Sequence, residues 1–238
     1  MQITPDTTVA DIATAAPATI RVFQQHRIDF CCGGKVPLSQ ACAAKGLSTD
    51  RLLGELRSAT APNAVERNWS EAPLPALIQH IQERYHAHLR DELPRLDAML
   101  AKVVSRHGDH LPAILLPLQQ TFLGLQRDLL AHMVKEDRVL FPSIVALDAG
   151  LPFPAGGSAA DLAAPIGVME AEHAGAGAAL ARMRHLTGGY ATPEWACPTF
   201  RGLYFGLSQL EADMHLHVHL ENNILFPRAA WLASHGRA

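Results

Sequence analysis

The sequence predicts an all-α protein: a small N-terminal helical domain over residues 1–65, then an up-down-up-down four-helix bundle over residues 70–238. Three observations carry this. Four long stretches repeat apolar residues at helical spacing, and their joints are rich in Gly and Pro. No stretch alternates apolar and polar residues as a strand would. One eleven-residue phrase occurs twice, HMVKEDRVLFP from His132 and HVHLENNILFP from His217, 85 positions apart.

The N-terminal part reads as short helices at Thr8 to Ala15, Ala18 to His26, Ser39 to Lys45 and Ser48 to Ser58, with Ser48 as an N-cap. Between the second and third lies DFCCGGKVP, which Gly33-Gly34 and Pro37 keep out of a helix. A polar, Pro-containing linker near 60–70 marks the domain boundary. The long helices are expected at about 73–106, 112–147, 163–188 and 194–233, with a kink at Pro94 and a long surface loop in DAGLPFPAGGSAAD.

Composition bounds the function. The chain has 238 residues, 48% hydrophobic and 18% charged, enough apolar material for a packed core. A net charge of −3 gives no electrostatic case for nucleic acid or an anionic membrane surface. No secretory leader or membrane-spanning run is visible, and four cysteines, two adjacent, do not form a secreted disulfide pattern, so a cytoplasmic location is expected. The oligomeric state, a homodimer included, is left open.

Helical wheels then sort the 13 histidines. His132 and Glu136 fall within the stripe Leu118, Phe122, Leu125, Leu129, Met133 and Leu140. His217 and Glu221 fall within the stripe Leu203, Leu207, Leu210, Met214, Ile224 and Leu225, whereas His215 and His219 fall on the opposite, polar face. His173 centres the third stripe, among Ile166, Met169, Ala176, Leu180 and Met183. On the first helix His86 and His88 flank the stripe and His80 points away, and spacing does not choose between His86 and His88.

A Glu in an apolar stripe is costly unless paired or bound to metal, and an i, i+4 His/Glu pair aims both side chains at one point. Two such pairs with one further His from each remaining helix give four imidazoles and two carboxylates. That donor set suits two carboxylate-bridged iron ions with room for an exogenous ligand; manganese is the other candidate, and a closed zinc site prefers cysteine. The Leu-Phe-Pro that closes each phrase is expected to pack and to end its helix.

HMVKEDRVLFP, MEAEHAGAG, HVHLENNILFPR and the N-terminal DFCCGGK together resemble the iron–sulfur cluster repair di-iron proteins, which carry a hemerythrin-like bundle behind a small cysteine-bearing CCGG domain. The resemblance covers nearly the whole chain in motif order. It selects His86, which follows Arg-Tyr, and implies the ligand set His86, His132, Glu136, His173, His217 and Glu221 around an oxo- and carboxylate-bridged di-iron centre. It implies repair of clusters damaged by nitrosative or oxidative stress, with damaged or apo iron–sulfur proteins as partners and iron donation as the means. Nitric oxide, oxygen or peroxide reduction, and ligand sensing, are the alternatives. The departures are a longer loop around Leu151–Ala160 and the extra His215 and His219.

Cys31 and Cys32 are too close in sequence for an unstrained disulfide, so thiol or metal chemistry is expected of them, with Gly33-Gly34 exposing the sulfurs. Cys42 and Cys197 read as structural. Glu172 and Asp128 read as solvated stripe-edge residues, with a role behind the ligands or in proton relay as the alternative.

Overall fold

The computed structural model describes residues 3–60, 68–154 and 157–236. The linker expected near 60–70 and part of the long loop fall largely outside these residues. Among the described residues every regular element is a helix, with one isolated bridge between Thr8 and Pro37.

The N-terminal part contains α1 (Val9–Ala15), α2 (Ile20–Gln25), α3 (Leu38–Lys45) and α4 (Thr49–Ala59). Thr8 caps α1 through a hydrogen bond from the Asp11 N–H, and Ser48 caps α4 through one from Arg51. Gly46, in the left-handed conformation, closes α3.

Four long helices follow. The first joins α5 (Leu74–Ile81) to α6 (Ala87–His107), and the second joins α7 (Pro112–Lys135) to α8 (Phe141–Ala149). The third is α9 (Ala163–Leu186), and the fourth joins α10 (Pro198–Leu220) to α11 (Phe226–His235). α6 packs on α7 and α10, and α9 packs on the same two, closing the bundle. Pro94 lies inside α6, which runs on past it. Among the described residues no helix is long and apolar enough to cross a membrane.

The joins in three of these helices are π-helical turns, at Gln82–His86, Glu136–Leu140 and Glu221–Leu225. Such turns gather at functional sites because the wider backbone ring re-aims side chains. Here the second and third turns open on Glu136 and Glu221, and the first closes on His86. The Leu-Phe-Pro motif was expected to end each helix. Instead Phe141-Pro142 and Phe226-Pro227 open α8 and α11, since proline is tolerated in a first turn, where its missing N–H matters least.

All the stripe residues named above are buried. They divide into two apolar clusters. One joins the N-terminal helices to Leu89–Val103, Leu115–Met133, Ala176–Met183 and Phe200–Val218. The other holds Leu74–Tyr85, Leu140–Ile144, Leu162–Met169 and Leu220–Leu232. His86, Glu136 and His173 lie in the gaps along their helices, and His132, His217 and Glu221 stand at the gap edges, so a polar layer separates the two halves of the core.

Candidate metal centre

Four imidazoles and two carboxylates meet in that layer. His86, His132, Glu136, His173, His217 and Glu221 are each at most 3% exposed. The donor atoms form two groups, His86 with His217 and His132 with His173. Both glutamates belong to each group, and within a group all donor atoms lie within 4.8 Å of one another. Burying two carboxylates is expensive without compensating charge, so this arrangement calls for a cation.

The hydrogen bonds point the same way. His86 Nδ1 donates to Asp137 Oδ1 (2.9 Å), His132 Nδ1 to Glu172 Oε2 (2.7 Å) and His173 Nδ1 to Asn222 Oδ1 (2.7 Å). Carboxylate and amide oxygens accept only, so in these imidazoles Nδ1 carries the proton and Nε2 presents a lone pair. Yet His132 and His173 face each other Nε2 to Nε2 at 2.9 Å, and His86 and His217 at 3.1 Å. Opposed lone pairs repel unless a cation or an added proton stands between them. Both carboxylate oxygens of Glu136 and Oε2 of Glu221 are buried without a hydrogen bond. Donors that converge without satisfying one another fit a metal site, and the donor set fits a metal of intermediate softness.

The electrostatics of the protein alone show what a metal would displace. Burial opposes charge on His86 and His173, but the first is bonded to Asp137 and lies 3.4 Å from Glu136, and the second lies against Glu221. These partners push both histidines up to about 9. Burial likewise opposes charge on His132, and Glu136 outweighs it, raising its pKa. Burial would raise the Glu221 carboxyl, but His217 and His173 hold it well below the usual carboxylate range.

The two halves of the layer are alike. Phe141 stacks on His86 with centroids 5.6 Å apart, and Phe226 on His173 at 6.0 Å. Asp137 and Asn222 occupy the same place in the doubled phrase, and each accepts from one of these histidines. The halves differ behind the remaining pair: Glu172, held by Lys135, bonds His132, whereas Tyr85 stacks on His217, whose Nδ1 has no partner.

Comparison with known proteins gives two family matches. Residues 5–60 match a domain of unknown function, DUF542, and residues 77–229 match the hemerythrin HHE cation binding domain. Iron-sulfur cluster repair protein YtfE of Pectobacterium atrosepticum is 39% identical over 226 residues, covering 94% of this chain and 96% of its own. The YtfE proteins of Cronobacter sakazakii and Escherichia coli O81 are 38% and 37% identical over 224 residues, with the same shares covered. The chain belongs to the YtfE family.

Against the YtfE-family pattern, several sequence expectations change. The choice between His86 and His88 is plain in space: His86 is fully buried, whereas the His88 side chain is 46% exposed and lies 3.8 Å from Asp213. His219 is not on a solvent face. It is 1% exposed, meets Phe30 edge-on at 5.5 Å, and accepts from Asn223 Nδ2 at 3.0 Å; His215 is half-buried against the same ring. The wheel treated the bundle as bare, and the N-terminal helices cover that face. Glu172 is no solvated edge residue, because it bonds a candidate ligand. Asp128 is exposed and pairs with Arg127.

Nor are both sulfurs exposed. Asp29 Oδ1 accepts from the Cys31 and Cys32 N–H groups, and Oδ2 from Gly33, folding the loop inward. Cys31 is buried and Cys32 half-buried, its Sγ 3.7 Å from the His173 carbonyl oxygen. Gly34 is required because a Cβ would lie 2.7 Å from the Phe30 carbonyl oxygen. Asn223, in the same π turn as Glu221, donates to the Phe30 and Cys31 carbonyls, fixing the thiol loop to the metal layer. Cys42 is fully buried, and Cys197 lies 3.7 Å from His107 Nε2. Beside the centre, a groove of about 510 Å3 between α7 and α9 reaches His132 and His173. The small residues Gly175, Ala176 and Ala179 line its α9 wall.

Proposed function

We propose that this protein holds two iron ions through His86, His132, Glu136, His173, His217 and Glu221 and repairs iron–sulfur clusters by donating iron to damaged or apo cluster proteins. The observation that carries the reading is the opposed Nε2 pairs beside carboxylate oxygens that accept no hydrogen bond. The names of the relatives support the repair role, and the CCGG loop beside His173 supports a part for the thiols in delivery.

The iron, when bound, supplies Lewis-acid and one-electron chemistry and is itself the cargo. The chain's own residues do the rest. Glu136 and Glu221 stand where each can serve both positions. Asp137, Glu172 and Asn222 fix the ring orientation of three imidazoles and keep the proton on Nδ1. The apolar clusters above and below exclude water. The division into a thiol domain over 1–65 and a bundle over 70–238 forms part of this proposal.

The groove reaching His132 and His173 favours a second reading, in which nitric oxide, oxygen or peroxide enters and is reduced. One experiment separates the two: transfer of iron from the loaded protein to an apo cluster protein, measured beside anaerobic nitric oxide consumption. Client reactivation without nitric oxide turnover supports donation. Catalytic nitric oxide consumption without iron transfer contradicts it.

A further inference from the structure

The loop of Cys31 and Cys32 borders a cavity of about 710 Å3 between the N-terminal helices and the bundle, a volume typical of small-molecule sites. Among the described residues only Arg27 (φ 53°) and Tyr190 (φ 62°) hold a left-handed backbone without being glycine, and both line this cavity. Such conformations persist only where the surroundings enforce them, and they gather at ligand clamps. Gly189 makes room for the Arg27 guanidinium: a Cβ there would lie 3.0 Å from its Nη2.

The charges of the wall are unevenly matched. Glu211 is buried and paired with Arg184, and the Asp29 carboxylate is taken up by three backbone N–H groups. Arg27 and Lys45 have no ion-pair partner among the described residues. The buried Tyr190 hydroxyl lies against Glu211. The unpaired charges of the wall are thus two cations, which suit carboxylates. The reactive group on the same wall is the Cys32 thiol, half-buried where Cys31 is 5% exposed.

We propose that the cavity admits a small disulfide bearing carboxylates and that Cys32 undergoes thiol–disulfide exchange with it. The Cys32 sulfur attacks one sulfur of the disulfide, forming a new S–S bond as the old one breaks. The departing thiolate takes the proton that Cys32 gives up. Cys32 is oxidised to a mixed disulfide, half of the small molecule is reduced to its thiol, and no other oxidant is needed. Cys31 lies 3.7 Å away, but closing a ring between adjacent cysteines is strained, so the mixed disulfide persists. This proposal is independent of the metal reading.

The test compares two reagents with the same S–S chemistry and opposite charge, oxidised glutathione and cystamine. Each is applied to the full-length protein, its rate is normalised to that with the urea-unfolded chain, and the modified residue is located by mass spectrometry. The expected result is roughly tenfold preference for the anionic reagent, as charge steering at a lined cleft gives, with one adduct on Cys32. Cys32→Ser abolishes the adduct and Cys31→Ser retains it. Arg27→Gly, which suits the left-handed backbone and so spares the fold, brings the preference close to one, and Lys45→Gln lowers it. No adduct on the native chain, equal rates for the two reagents, an adduct on Cys31, or a preference untouched by Arg27→Gly with Lys45→Gln would each overturn the proposal.

Discussion

His86 Nδ1 donates to Asp137 at 2.9 Å, and 85 positions after Asp137 in the doubled phrase Asn222 accepts from His173 at 2.7 Å. The two half-sites are therefore built alike down to the group behind the imidazole. Removing such a partner frees the ring and its tautomer, which typically weakens metal binding 10–100-fold. Asp137→Ala and Asn222→Ala should each do so, as measured by competition with a chelator. An unchanged affinity in both would show that the bonds serve packing alone.

Glu136→Ala and Glu221→Ala should lose most bound metal, because each carboxylate belongs to both donor groups. His215→Ala should keep it. His219→Ala should also keep it but unfold more easily by about 1–2 kcal/mol, through a lost ring contact and one lost hydrogen bond of the Asn223 amide. Metal content with urea unfolding checks all four. Equal metal loss would mean that the polar layer has no privileged carboxylates.

The metal-free protein should respond to pH with a definite sign. His86 and His173 stand at about 9, against 6.5 for a free imidazole. Their contribution to stability is full below 6.5 and fades as pH rises through about 9. Metal must displace these protons, so apparent affinity should climb over the same window with proton release. Metal titrations in weakly buffered solution, beside urea unfolding of the metal-free protein at the two ends of the window, test this. Affinity flat across the window would contradict the protonated cluster.

A chain lacking residues 1–60 should still take up two metals, since every candidate ligand follows that point. It should be less stable than the full chain, because Phe30 and the N-terminal helices share one apolar cluster with the bundle. The truncated chain, and Cys31→Ser with Cys32→Ser, should fail instead in reactivating a client. Equal reactivation by the truncated chain would remove the thiol loop from delivery.

Much of this was legible in the sequence, because burial on a helix follows a simple period. The four stripes, the inward pairs His132/Glu136 and His217/Glu221, and His173 all follow from it. What the period cannot carry is contact between distant elements. His219 lies on the wheel's polar face, and only the docking of Phe30 buries it. Glu172 is unremarkable until α7 brings His132 within 2.7 Å. The π turns shift the helical phase at the ligands themselves, and an even 100° step has no sign of them. One signal was available: Asp137 and Asn222, each just after a glutamate of the doubled phrase, stand where the phrase repeats a short polar acceptor.

The most direct measurement is the metal content of the full-length protein loaded anaerobically with ferrous iron and freed of excess. The account predicts two irons per chain, falling below one in Glu136→Ala. One zinc per chain with no iron uptake, or two irons retained in both Glu136→Ala and Glu221→Ala, would contradict it.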